Sequence, residues 1–284
     1  MSPWHAHLRP MTRNDIAAGM ELVCAAGWNQ TEADWKRFLE AERPGCFVAE
    51  AEGRVCGTVA TIVYGEELAW IGMVLVGPRH RGQGIAADLV KLALEHLDAR
   101  GPLTIKLDAT PQGKSIYARC GFEPECEIER WMRTSSSPPP ARPLAADAAR
   151  LEDIVAMDPD IFGAYRGSLL RSLDSDAPEF TMAAWKEGRA TGYALGRHGL
   201  RADQIGPWTA SEQNIARELL QNFLNRSTRG RVVADCLTSH PHSRDLLRSA
   251  GFEFSRSFTR MVRGPRLQNE RMDMIYAVAG PEFG

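Results

Sequence analysis

The chain has 284 residues, enough for one large domain or two ordinary ones. Its 34 basic and 36 acidic side chains leave a formal net charge of -2, which excludes nucleic-acid binding driven by bulk charge but leaves room for a local anion site. The six cysteines (Cys24, Cys46, Cys56, Cys120, Cys126 and Cys236) form no CxxC pair and no Cys/His cluster with zinc-ligand spacing, so no metal is expected. Met1 to Pro10 is polar, and no apolar run approaches the length of a membrane span. The expectation is a reduced, cytoplasmic protein with no membrane or nucleic-acid partner.

Thr12-x-x-Asp15 resembles a capping box and opens a helix to about Cys24, closed by Gly27. Thr31 to Ala41 reads as a second helix with Trp35, Phe38 and Leu39 on one face. Cys46 to Glu50 and Arg54 to Val63 read as strands joined by a turn at Glu52-Gly53. Leu68 to Val76 is mostly apolar and reads as a central strand. From about Gly82 to Ala99, Ile85, Leu89, Leu92, Ala93 and Leu97 recur at helical spacing, and Gly101-Pro102 stops the helix. A strand at Leu103 to Leu107, a short helix at Lys114 to Arg119 and a strand at Glu127 to Arg133 follow. This order predicts an α/β fold with a mixed (α+β) sheet.

Residues 135–143, Ser-Ser-Ser-Pro-Pro-Pro-Ala-Arg-Pro, cannot continue a helix or a central strand and read as a linker. They separate a first domain, 1–134, from a second, 144–284, and the two resemble a diverged repeat. Glu52-Gly53-Arg54 matches Glu187-Gly188-Arg189, Ile71-Gly72 matches Ile205-Gly206, and Gly121-Phe122 matches Gly251-Phe252. Arg130 and Arg133 match Arg260 and Arg263. The second half is a few residues shorter between its Ile-Gly and its Gly-Phe.

The segment from Val74 to Ala87 carries the chemistry. An apolar strand ends near Val76, Pro78 blocks its continuation, and the basic turn Arg79-His80-Arg81-Gly82-Gln83-Gly84 runs straight into a helix. Free N–H groups at a helix start, with glycines that let a ligand approach, make a phosphate or pyrophosphate site. Gly82-x-Gly84-x-x-Ala87 also fits a loose dinucleotide fingerprint with Asp108 downstream. Five residues from Gly77 to Arg81 intervene between strand and first glycine, however, and several elements precede the motif.

Arg81-x-x-Gly84-x-Ala86 resembles the Q/R-x-x-G-x-G/A motif of the GNAT acetyltransferase superfamily. Ser115-Ile116-Tyr117-Ala118-Arg119-Cys120-Gly121-Phe122 is similar to that family's later helix, with its Tyr just before Gly-Phe. Gly27-Trp28-Asn29-Gln30-Thr31, Leu107-Asp108-Ala109-Thr110-Pro111 and the closing Ala279-Gly280-Pro281-Glu282-Phe283-Gly284 are similar to a bacterial subgroup whose GNAT domain is followed by a second, degenerate one. The resemblance implies tandem GNAT-like acyl-CoA N-acyltransferase domains. In the second, Ser211-Glu212-Gln213 replaces the Arg-Gly-x-Gly turn, and an acidic residue suits a phosphate poorly, so only the first domain is expected to bind acetyl-CoA.

The resemblance also implies roles. Met73, Val74 and Val76 would flank pantetheine from a splayed strand, with the Val74 N–H as oxyanion donor. Arg81, Gly82, Gln83, Gly84, Ile85, Ala86 and Ala87 would hold the pyrophosphate. Tyr117 would protonate the leaving sulfur, or else simply pack on its helix. No carboxylate lies on the cofactor strand, which leaves Glu66, Glu67 and Asp108 as candidate bases, each of which could equally be a solvated or capping group. Trp28 could wall the acceptor pocket or belong to the core, and Asn29 could bind the acceptor. Arg166 could hold an acceptor carboxylate or form a surface ion pair. The expected reaction is acetylation of a primary amine on a small metabolite, by a monomer or homodimer. Acetylation of a protein lysine and a non-catalytic acetyl-CoA module are the alternatives.

Overall fold

The computed structural model describes residues 6–42, 44–135, 151–267 and 270–284. Most of the Ser/Pro segment read as a linker, 136–143, lies outside them. No helix among the described residues is long and apolar enough to cross a membrane.

The first half begins with a short edge strand, β1 (His7–Pro10), which the sequence reading does not place. The Thr12–Asp15 box is present, with the Thr12 N–H donating to Asp15 Oδ2 at 2.8 Å, and it leads through a single 3-10 turn into α1 (Ile16–Ala26). Gly27, at φ 69°, ends that helix. A second box, Thr31 with Asp34, opens α2 (Glu32–Ala41), which buries Trp35 and Phe38 completely. Then come β2 (Cys46–Ala51), β3 (Arg54–Tyr64), β4 (Leu68–Val76), α3 (Ile85–Asp98), β5 (Thr104–Ala109), α4 (Lys114–Arg119) and β6 (Glu123–Thr134). The buried face of α3, with Leu89, Val90, Ala93 and Leu97, lies on the sheet.

The second half repeats this order. Helices α5 (Leu151–Met157), α6 (Pro159–Phe162) and α7 (Gly167–Asp176) precede β7 (Met182–Lys186), β8 (Arg189–His198) and β9 (Asp203–Ala210). Next are α8 (Gln213–Arg226), β10 (Arg231–Leu237), α9 (Ser243–Ser249), β11 (Glu253–Arg263) and a short final strand, β12 (Ile275–Ala277). The matched hairpin turns share a backbone as well as a sequence. Glu52 and Gly53 take φ 52° and 72°, and Glu187 and Gly188 take 52° and 77°, as a tight two-residue turn between twisted strands requires.

All twelve strands join one sheet in the order β1-β2-β3-β4-β5-β11-β6-β10-β9-β8-β7, with β12 alongside β9. Among the described residues only β4–β5 and β9–β10 are parallel. The centre of this order shows that the halves have exchanged their last strands. First-half β6 pairs with β10 and β11, and second-half β11 lies between β5 and β6. The sheet is thus pseudo-symmetric about the β6–β11 pair, and neither half owns a complete sheet.

Two buried ion pairs follow the same symmetry. Arg130 on β6 binds Asp235 on β10 through Nε and Nη2, both at 2.7 Å. Arg260 on β11 binds Asp108 on β5 at 2.9 and 3.0 Å. Each pair ties one half to the other. Residues 1–134 expressed alone would therefore leave β5 without its neighbour β11 and an open edge at mid-sheet. The expected result is no folded monomer by light scattering after size exclusion. A monomer with a sharp thermal transition would contradict the exchange.

Candidate active site

The turn between β4 and α3 has the features of an anion cradle. Gly82 and Gly84 have φ 76° and 89°, and a Cβ built on either meets nothing within 4 Å. The conformation favours glycine, and the space above it is open. Among the described residues no acceptor takes the N–H groups of Gly82, Gln83, Gly84, Ile85 and Ala86; the first bonds of α3 run from Ala87 and Asp88 to the Gly84 carbonyl. These donors lie at the positive end of a fourteen-residue helix. Arg81 is exposed and hooks back so that its Nε donates to the Val76 carbonyl at 3.2 Å, which braces the turn against the strand end.

Beside this turn the sheet opens. β4 pairs with β5 only from Leu68 to Trp70, although it runs on to Val76. Met73 sits at φ 54°, which is costly for a residue with a side chain, and its carbonyl is held by Thr58 Oγ1 at 2.8 Å. The pairing of β3 with β4 slips register at this point. Beyond Trp70 the edge of β4 facing β5 has no partner strand, which leaves unpaired backbone groups along a wedge.

The wedge opens into a cavity of about 60 Å³, room for a few waters. Val74, Tyr117 and Trp28 line it. Tyr117 packs edge-on against Phe122, and its hydroxyl has no hydrogen-bond partner among the described residues. Burial raises the phenol well above its ordinary pKa. Trp28 both walls the cavity and packs on the core, so its two readings are one.

Three acceptor-site expectations are corrected. Asn29 is buried in a contact between the halves: its Oδ1 accepts from the N–H groups of Arg201 and Ala202, and its Nδ2 donates to the Ala202 carbonyl. It clamps a second-half loop and offers little to an acceptor. Arg166 is neither a surface ion pair nor an acceptor ligand. It is 4% exposed, lies 3.6 Å over the Phe162 ring, and is held by both oxygens of Asp158 at 2.9 Å and by the Gly284 carbonyl. Asp108 lines the cavity, but both its oxygens are engaged by Arg260. Burial raises its pKa and Arg260 opposes the rise. Glu66 and Glu67 are exposed in the β3–β4 turn and do not line the cavity.

Other residues, not assigned to the site from sequence, stand there. Arg130, Arg256 and Glu282 reach the cavity from the exchanged strand, β11 and the tail after β12. The tail from Val278 to Gly284 is buried except at Pro281, which is half-buried. Trp70 Nε1 donates to the Pro281 carbonyl at 3.0 Å and the Tyr64 hydroxyl to the Phe283 carbonyl at 2.8 Å, while Phe283 stacks on Phe38 at 4.8 Å. The tail crosses β4 at Gly72, where a Cβ would come within 2.7 Å of the Glu282 carbonyl oxygen. A match of Asp108 with Asp235 in the repeat, beside that of Arg130 with Arg260, is the sequence signal for the ion pairs. The tail gave none beyond its resemblance.

The second half has the same wedge, filled by its own chain. β9 and β10 pair only from Asp203 to Ile205 on the β9 side, and β12 then lies along β9 opposite Trp208 and Thr209. The Val278 N–H donates to the Asp235 carbonyl at 2.9 Å, so this strand bridges the gap. A Cβ on Gly206 would run into the Val278 carbonyl. Above it, Glu212 caps α8 and is tied to Lys186 at 3.1 Å.

A mixed sheet with a split parallel pair, and unpaired N–H groups at the helix that follows, defines an acyltransferase fold present twice. An acetyltransferase (GNAT) family model matches residues 16–122, and a second acetyltransferase (GNAT) domain model matches residues 154–277. Together they span well over half of the chain, one on each side of the Ser/Pro segment. The chain belongs to the GNAT superfamily, as a tandem-domain acyltransferase. It is 25% identical over 269 residues to a holothin acyltransferase from a Pseudoalteromonas species, covering 93% of this chain and 90% of that one. In fold it is similar to a provisionally assigned acetyltransferase from Pyrococcus horikoshii, with a TM-score of 0.81 at 20% identity and coverage of 100% and 97%. It also resembles a tandem GNAT protein from the clavulanic acid biosynthesis pathway, with a TM-score of 0.60 at 16% identity and coverage of 92% and 100%.

Proposed function

We propose that the enzyme moves an acetyl group from acetyl-CoA to a primary amine on a small metabolite, with acetyl-CoA held by the first half alone. The observation that carries this reading is the run of unpaired N–H groups from Gly82 to Ala86 beside the unpaired edge of β4, which ends at a small cavity. The residues fit the ligand: the glycine turn suits a pyrophosphate, and the strand edge at Met73, Val74 and Val76 suits the amide groups of pantetheine. Bound there, acetyl-CoA would supply an activated thioester. The Val74 N–H would stabilise charge on a carbonyl oxygen in the cavity. Tyr117, a phenol protonated at neutral pH and raised further by burial, would donate its hydroxyl proton to a leaving thiolate.

The cavity's walls favour a small acceptor over a protein lysine. Trp28, β11 and the tail wall it, and its volume of about 60 Å³ suits a small acceptor. The filled wedge and the Glu212 turn support a single cofactor site. Calorimetry with acetyl-CoA should accordingly give one site per chain, and two sites would refute the single-site reading. Tyr117→Phe should lower kcat by roughly 100-fold while leaving acetyl-CoA affinity unchanged. Wild-type turnover would remove the proton-donor role.

A further inference from the structure

The acceptor cavity carries charges and acceptors that the protein does not satisfy. Arg256 lines it, half-buried, with no hydrogen bond or ion pair among the described residues; its guanidinium rests 5.0 Å from the Phe258 ring. Burial and the neighbouring Arg130 both disfavour its charge. Arg130, by contrast, is committed to Asp235. Two residues that line the same cavity also carry a buried side-chain oxygen without a hydrogen-bond partner. Glu282 is 3% exposed and gives only Oε1 to Arg197, so that Oε2 has no partner; Gln30, 4% exposed, has a bare Oε1. A buried polar atom without a partner costs about 1–3 kcal/mol, and native proteins keep few of them. Two such atoms on residues that line one small cavity, beside the unpaired Arg256, point to a ligand.

We infer that the acceptor is an amino acid or a similar amine bearing a carboxylate, with its anionic group on Arg256 and its ammonium on Glu282 Oε2 and Gln30 Oε1. This rests on the cavity being the acceptor site proposed above. The charges are complementary pole by pole: a guanidinium fork binds a carboxylate through two parallel N–H bonds. The unpartnered oxygens of a carboxylate and an amide suit an ammonium with three donors. Glu282 then takes one proton from the ammonium, which leaves the nitrogen lone pair free, and later releases that proton to solvent. Glu282, on the tail that crosses β4 at Gly72, would supply the carboxylate that this strand lacks.

The test is calorimetry on the full chain saturated with CoA, which cannot transfer an acyl group, titrated with L-amino acids and with the carboxamide of each. The expected result is binding of one or more acids, with the matching amide weaker by roughly 10- to 100-fold. Arg256→Gln should abolish that preference by weakening the acid alone. Its melting temperature should not fall, because the wild-type cation is unpaired. Glu282→Gln should weaken acids and amides alike, since both carry the ammonium. Equal binding of acid and amide, a preference that survives Arg256→Gln, or no binding of any amino acid would each overturn the proposal. Acetyl-CoA affinity measured in the same calorimeter separates these failures from failure of the broader reading: intact cofactor binding, with turnover of an uncharged amine, would leave the acetyltransferase function standing.

Discussion

Gly84→Glu should weaken acetyl-CoA binding by at least about 100-fold while the protein remains folded. Gly84 caps α3 at φ 89°, and nothing lies within 4 Å of a Cβ built on it. A side chain there disturbs no core packing and costs only backbone strain of about 1–2 kcal/mol. The carboxylate, however, would stand among the N–H groups of Gly82 to Ala86 and occupy donors meant for a phosphate. Each charge-assisted hydrogen bond lost is worth about 1.5–3 kcal/mol, and repulsion between anions adds to the loss. Gly84→Ala separates the causes. It carries the same strain without the charge, and should lose affinity by no more than roughly tenfold. Calorimetry gives both constants, and a melt checks the fold. Wild-type affinity in Gly84→Glu would show that this turn is not the cofactor site.

Local features of this protein were legible in its sequence because they depend on neighbours in the chain. The Thr12 and Thr31 starts, the Gly27 stop, the apolar run from Leu68 to Val76 and the face of α3 all follow from short-range stereochemistry and periodicity. The glycine turn was legible for the same reason. Its donors are backbone groups, whose direction is set by the helix that follows. The exchange of β6 and β11 was not legible, since the pattern of each strand is satisfied equally by a partner in its own half or in the other. Asn29, Asp108 and Arg166 show the same limit. A polar residue at a plausible position looks the same in sequence whether it faces a ligand or a partner more than a hundred residues away. Asn29 meets Ala202, Asp108 meets Arg260, and Arg166 meets Gly284, as well as Asp158 closer by.

The tail explains how one fold serves two purposes. In the first half the split between β4 and β5 stays open, and the cavity beyond it is closed by second-half residues such as Arg256 and Glu282. In the second half the equivalent split is closed by β12, from which the same tail continues across to Gly72. Filling one wedge therefore supplies a wall of the other. A second half that had kept an open wedge would have no tail to spare for this. Under the function proposed above, loss of cofactor binding in one copy and completion of the acceptor site in the other would be a single structural event.

The two buried ion pairs give the largest expected effect on stability. Asp235→Ala should destabilise the protein by about 3–5 kcal/mol, because it leaves Arg130 charged and unpaired in the interior. Gln204 Nε2, which donates to Asp235 Oδ2 at 2.9 Å, loses its acceptor as well. For a chain of this size that corresponds to a fall in melting temperature of roughly 10 °C. Asp108→Ala should cost about as much through Arg260, which is 2% exposed. Desolvation opposes both pairs in the native state, so the pairs themselves are not a large net source of stability. Replacing both partners should show this. Arg130→Met with Asp235→Leu should recover most of what Asp235→Ala loses, because no buried charge then remains. The pairs also join the halves through exchanged strands, so each single variant should melt in one transition at a lower temperature. Two separate transitions, or an Asp235→Ala protein as stable as wild type, would mean that the exchanged strands do not make the halves one folding unit.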